Sequence, residues 1–300
     1  MGGKAFAGIT SRVQKKDVFA TLDWLETNWL DFSLQTETLK ERLLGSAGKN
    51  EDSGDIDLNM RIEVYDQEKV ARDLIDLLGE DHVKPRPSHN QIFTAVPIAG
   101  DPTNGYVQVD FMFGDYEWQK FSYFSARHDP SLRNHYWKQD PTVSVLKGLY
   151  RTELIKALVA FNSDWVLEEN GEMIARVGPT FFHDKGCVWR YRHRPMRKDG
   201  TGRIKELKEL TKEEFLELYP SAITARTDVI KDPLKVAEMI LSERSINLDH
   251  LATVETIITN MWSCYTAPEM AQITKIYLER LNSLKVVIPV DVFKSYRMKV

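Results

Sequence analysis

"GSAGKNEDSGDIDL", residues 45–58, packs three glycines, a lysine and four acidic residues into fourteen positions. A phosphate-binding P-loop needs GxxxxGK followed by Ser or Thr, so that backbone amides cradle phosphate and the hydroxyl meets magnesium. Here Gly48-Lys49 is followed by Asn50, and Leu43 occupies the place of the first glycine. A calcium loop starting at Asp55 would use Asp57 and Asn59, but its sixth position must be glycine for the sharp turn and is Met60. Both readings fail.

From Asp55 onward the period is two. Ile56, Leu58, Met60, Ile62 and Val64 alternate with Asp55, Asp57, Asn59, Arg61 and Glu63. That pattern predicts a long strand with one buried face. Asp55 and Asp57 then project from the same side, roughly 7 Å apart at Cα. Such spacing lets two carboxylates share one divalent ion, or a pair of ions about 3.5–4 Å apart. A later extended run, "YVQVDFMF", supplies Asp110 between Val109 and Phe111. Asp115 is the rival third acid, but it follows Gly114 at the run's end; Glu51 and Asp52 read as turn residues.

Gly45-Ser46, Asp55-Ile56-Asp57 and Asp110, in that order, resemble the motif set of the DNA polymerase β-like nucleotidyltransferase superfamily, as does "SGDIDL" itself. The likeness covers residues 40 to 115. "LKGLYRTELIKAL" and "DPLKVAEMI" are also similar to segments of phage-encoded nucleotidyltransferases. The resemblance implies a nucleotidyltransferase-type mixed β-sheet flanked by helices. It implies two Mg2+ (or Mn2+) ions held by Asp55, Asp57 and Asp110, with an NTP as substrate. Asp110 would complete the ion that activates the attacking hydroxyl, and can accept its proton. Ser46, the amides beside Gly45, and Lys49 would meet the phosphates. Lys147 and Arg151, four apart on the helix expected after the sheet, would clamp the triphosphate or else form a solvated face.

The rest of the chain gives an α+β frame. Residues 16–44 look mainly helical, the last few extended. "QEKVARDLIDLLGED" predicts an amphipathic helix ended by Gly79. "NQIFTAVPIAG" and "GYVQVDFMFG" predict strands joined by a turn. "TVSVLKGLYRTELIKALVAFN" predicts a helix of about five turns. A catalytic domain over 1–141 and a mainly helical domain over 142–300, with a β-rich insertion around 172–205, follow.

Forty basic and 44 acidic residues give a net charge of −4, so any nucleic-acid affinity must come from a local patch. One exists: between Lys185 and Lys208 nine Lys or Arg face two Asp or Glu. Strand alternation in "WRYRHR" puts Arg190, Arg192 and Arg194 on one face and Trp189, Tyr191 and His193 on the other, with Arg197 and Lys198 following. Arginines suit a phosphate backbone and exposed aromatics stack bases. Alternatively, the aromatics are core and the arginines pair with the acidic stretch ending in "KEEFLELYP".

Three acceptor hypotheses remain open: transfer to an RNA 3′ end, transfer to a protein side chain or small molecule, or a non-catalytic nucleic-acid-binding or assembly role. "SYFSARHDPSLRNHYW" offers Tyr123, Phe124 and Tyr136 as stacking groups for a nucleotide. His128, His135 and His183 do not fall at metal-ligand spacings, and GxSxG is absent. Cys187 and Cys264, the two cysteines, are far apart, which argues against a disulfide framework or zinc site. Gly2 lacks the Ser or Thr at position six that N-myristoylation prefers, and no run reaches membrane-spanning length. No membrane partner and a cytoplasmic location, in the host cytoplasm for a phage protein, are the expectation. Oligomeric state is open.

Overall fold

The structure is a computed structural model. It describes residues 5–29, 38–129, 131, 141–163, 165–197, 199, 202–204, 206–222, 229–241, 247–288, 290 and 294. The chain is a mixed α+β protein that divides into two compact units, Met1–Leu149 and Tyr150–Val300.

In the first unit a short strand, β1 (Val13–Gln14), leads into helix α1 (Lys15–Asn28). Buried Val18, Leu22 and Leu25 recur at helical spacing along α1 and face the sheet. β2 (Asp52–Ser53) pairs antiparallel with β1, and β3 (Asp55–Met60) follows. Helix α2 (Gln67–Leu78) opens on Asp66, whose side chain accepts from the Lys69 amide at 2.7 Å. It closes at Gly79, whose φ of 89° is the left-handed turn expected of a helix-ending glycine. β4 (Val83–Arg86), β5 (Gln91–Pro97) and β6 (Tyr106–Phe113) complete a four-stranded sheet in the order β3-β6-β5-β4. β3 and β6 run parallel, whereas β6-β5 and β5-β4 are antiparallel.

One face of this sheet, bearing Ile56, Leu58, Val107, Val109 and Phe111, packs with α1 and α2 into a continuous core. Trp29 meets Phe111 edge-on at 5.7 Å. Helix α3 (Tyr116–Ser122) is anchored to β3 by Asn59, whose amide donates to Gln119 Oε1 at 2.7 Å and to the Gly114 carbonyl at 3.2 Å. A small parallel pair, β7 (Arg127–His128) with β8 (Val143–Ser144), precedes helix α4 (Gly148–Ser163), which starts at the unit boundary.

The second unit carries a five-stranded antiparallel sheet: β9 (Trp165–Glu169), β10 (Glu172–Phe182), β11 (Gly186–His193), β12 (Lys208–Leu210) and β13 (Val229–Ile230). Helix α5 (Lys212–Leu218) presses Phe215 onto Ala175, Val177 and Tyr191 of that sheet. Helices α6 (Pro233–Leu241), α7 (Val254–Cys264) and α8 (Ala267–Ser283) follow. Among the described residues no helix is long and apolar enough to cross a membrane.

Three local expectations change. β3 ends at Met60 because its partner β6 ends at Phe113, the register mate of Met60. Residues 61–65 turn instead, both Val64 and Tyr65 bonding back to the Arg61 carbonyl, so Ile62 and Val64 stand 52% and 55% exposed. Of the segment read as helical up to residue 44, residues 30–37 lie outside the described residues; 39–42 are turns, and Leu43 bridges antiparallel to Leu58. The sheet of the second unit also reaches beyond 172–205, drawing in β9, β12 and β13.

Candidate metal centre

The parallel register of β3 and β6 sets Asp57 directly opposite Asp110 and Asp55 directly opposite Gln108. Four side chains therefore form a two-by-two square on the face turned away from the α1/α2 core. Fully buried Ile56, Leu58, Val109 and Phe111 hold that phase, since a one-residue slip would drive the acids into the core. One carboxylate oxygen from each of Asp55, Asp57 and Asp110 lies within 4.8 Å of the other two. Asp55 and Asp57 are half-buried, and Asp110 is only 7% exposed.

Gly45 and Ser46 reach this square through backbone pairing. The Leu44 amide donates to the Asp57 carbonyl at 2.8 Å and the Asn59 amide to the Arg42 carbonyl at 2.9 Å, so residues 42–44 line the outer edge of β3. Gly45 follows at φ 64°, and a Cβ there would stand 2.7 Å from Asp57 Oδ2. The turn is thus pressed against a carboxylate that only glycine admits. Ser46 comes next, half-buried, its carbonyl accepting from the amides of Lys49 and Asn50. The Lys49 ammonium donates to the Gly45 carbonyl at 3.0 Å and the Ser125 carbonyl at 2.9 Å, and lies 5.0 Å from the Phe124 ring centroid.

Three acids this close repel, and burial adds to the cost of their charge. Burial, then Asp55 and Asp110, push the Asp57 carboxyl well above the usual carboxylate range. Burial raises Asp110 to about 7; a hydrogen bond from Gln108 works against that rise and Asp55 adds to it. An all-oxygen, strongly anionic set of this kind fits a hard divalent cation such as Mg2+ or Mn2+, whose charge would relieve the repulsion.

Other candidates are distributed differently. Asp115 caps α3, accepting from the Trp118 amide at 2.8 Å, which removes it as a third ligand. Asp52 is gripped by Arg12 through hydrogen bonds of 2.8 and 2.7 Å, which holds its carboxyl below the usual range. Lys147 is exposed just ahead of α4, not on it, because β8 and a bend occupy the residues expected to begin that helix. Arg151 is buried in the second unit and donates from Nε to the Leu251 carbonyl. Lys147 and Arg151 therefore share no solvated helix face.

On β11 the aromatic face is core: Tyr191 is buried against Phe215 at 5.8 Å between centroids, and His193 meets Tyr219. Buried Tyr191 is not open for base stacking, whereas Trp189 and His193 are half-buried. Arg190 is paired with Glu209, Arg192 donates to Thr180 at 3.1 Å, and Arg194 lies 3.7 Å from Glu172. Arg197 is exposed, whereas Lys198, His135 and Tyr136 lie outside the described residues. Tyr123 and Phe124 follow α3 and are half-buried.

Sequence reading passed over Gln108, Arg12 and Arg176. Gln108 carried a signal, since it precedes Asp110 by two on the same strand face. Arg176 stands directly opposite Arg192 in the β10/β11 register, which needed the hairpin pairing to be seen. Arg12 had no sequence signal. Set against protein-family models, curated proteins and solved structures, the chain finds no match.

Proposed function

We propose that this chain is a metal-dependent nucleotidyltransferase, moving a nucleoside monophosphate from an NTP to an acceptor hydroxyl and releasing pyrophosphate. The observation that carries the reading is the convergence of Asp55, Asp57 and Asp110, oxygens within 4.8 Å, beside a glycine turn that touches Asp57. Asp55, Asp57 and Asp110 hold the cations, two in this reading, Mg2+ or Mn2+. Bound there, the cations neutralise the charge on the triphosphate and lower the pKa of the attacking hydroxyl. The Gly45-Ser46 turn orients the outer phosphates through its hydroxyl and amides. Asp110, the most buried of the three acids, takes the hydroxyl proton in this reading.

For the acceptor we take an RNA 3′ end, supported by the arginines of β10 and β11. A second reading, transfer to a protein side chain or a small molecule, gains support from the burial of Tyr191 against Phe215, which takes that ring out of base stacking.

The test is incubation with each labelled NTP and Mg2+, offered RNA, DNA and cell lysate. Label entering RNA supports the first acceptor, and label entering protein or a metabolite supports the second. No transfer by the wild type, with Asp57→Ala indistinguishable from it, would leave a non-catalytic role.

A further inference from the structure

The square formed by β3 and β6 has three acidic corners and one neutral one. The neutral corner is Gln108, opposite Asp55 in register and two residues before Asp110 on the same face. Its amide is buried, 4% exposed, and both ends are engaged. The Ala5 backbone N–H donates to Gln108 Oε1 at 2.9 Å, and Gln108 Nε2 donates to Asp110 Oδ1 at 2.8 Å. The first bond fixes which way the amide points, because an N–H can only meet the oxygen. The second then presents an N–H, not a lone pair, to the carboxylate.

We infer that Gln108 is a positioning residue for the cation site: it locks the Asp110 carboxylate in one orientation and leaves Oδ2 free to coordinate. This rests on the reading of the three aspartates as a cation site. The residue type follows from the chemistry. A carboxylate at this corner would add a fourth like charge, and an apolar side chain would let Asp110 rotate and leave its buried Oδ1 without a donor. Hydrogen-bonded partners behind a metal ligand typically change affinity by about 10–100-fold when removed.

The experiment titrates full-length protein with Mn2+ and follows the free-ion signal by electron paramagnetic resonance, beside circular dichroism to establish folding. Gln108→Met keeps the length and removes the donor. Ala5→Pro removes the N–H that orients the amide and leaves the Gln108 side chain in place, with its added restriction of the backbone confined to Ala5 and the residue before it. The wild type should bind Mn2+; Gln108→Met should bind at least about tenfold more weakly, and Ala5→Pro should fall between them. In nucleotide transfer Gln108→Met should lower kcat and leave KM for the NTP near the wild-type value, a split that a general loss of structure would not give. Folded Gln108→Met with wild-type Mn2+ affinity overturns the role of Gln108 while leaving the aspartate site standing. Absence of Mn2+ binding by the wild type overturns both. Should Gln108→Met fail to fold, unchanged affinity in Ala5→Pro overturns the inference by itself.

Discussion

Asp57 and Asp110 are register partners on adjacent parallel strands, their carboxylates converging on the same face of the sheet. A carboxyl raised from 3.8 to about 7 binds its proton more tightly in the fold than in the unfolded chain. Its effect on stability therefore changes between those two values, and stability falls as pH rises through the interval. Above pH 7 the ionised form costs the metal-free fold on the order of 4 kcal/mol.

Asp110→Asn removes that cost. Without metal, its melting temperature should exceed the wild type's at pH 8, and the difference should shrink as pH falls from 7 and close only below 3.8, where the carboxyl is neutral in the folded and the unfolded chain alike. Comparing variants at each pH cancels opposing groups such as His183, whose burial lowers it to about 4 in both proteins. Mn2+ should raise the wild-type melting temperature at pH 8 but not that of Asp110→Asn. Transfer activity should drop by about 3 orders of magnitude or more, as expected when charge stabilisation of phosphoryl transfer is lost. Scanning calorimetry across pH checks the first part; an Asp110→Asn protein no more stable than wild type at pH 8 contradicts it.

Gly45→Ala tests the contact between turn and carboxylate. The added methyl meets Asp57 Oδ2 at 2.7 Å in a left-handed conformation, where a side chain costs about 1–2 kcal/mol. Either the turn or Asp57 must move. We expect a modest loss of melting temperature with a loss of transfer larger than that of Ser46→Ala, since Ser46→Ala removes one hydroxyl and moves nothing. Equal activity in Gly45→Ala and wild type would separate the turn from the site.

Much of the first unit could be read from residues whose neighbours are local. The alternation in Asp55–Met60 reports directly on a pleated strand, and Gly79 reports directly on the end of α2. The carboxylate cluster needed more: Asp55 and Asp57 share a face by period alone, but the parallel pairing that brings Asp110 beside them is non-local. Alternation also overran, since Ile62 and Val64 continue the pattern after β6 has ended and no partner strand remains. In the second unit "WRYRHR" shows two faces but not which one is buried; Phe215 of α5 decides that from twenty-odd residues away. The four-residue spacing of Lys147 and Arg151 suggested a shared solvated face but could not show that Lys147 stands just before α4 or that Arg151 is buried.

Lys49→Met distinguishes a lysine that shapes the turn from one that meets phosphate. Its ammonium joins the Gly45 and Ser125 carbonyls, and the nearby His128 amide donates to Asn50 Oδ1 at 2.9 Å, so the turn is tied twice to residues 125–128. Losing the first tie should speed hydrogen exchange at the Lys49 and Asn50 amides in the nucleotide-free protein, with little change in global melting. A pure phosphate ligand would leave that exchange unchanged and show its effect only once NTP is added. Mass-spectrometric exchange over the peptide spanning 45–50 reads the difference.

Glu209→Ala probes the acceptor. Glu209 takes hydrogen bonds from Arg190 Nε and Nη2 at a partly exposed site, so the pair contributes less than about 1 kcal/mol to folding. Arg176 and Arg192 stand directly opposite one another nearby, and Glu209 stands opposite Arg192 on its other side, so Glu209 is the acid that tempers this cluster of charge. Removing Glu209 releases Arg190 and raises the positive charge of that face without disturbing the Phe215 core behind it. For an RNA acceptor, Glu209→Ala should tighten binding of a labelled oligoribonucleotide and steepen its salt dependence by about one counterion, while Arg192→Ala should do the reverse. Binding insensitive to both substitutions would move the acceptor off this sheet and favour the protein or small-molecule reading.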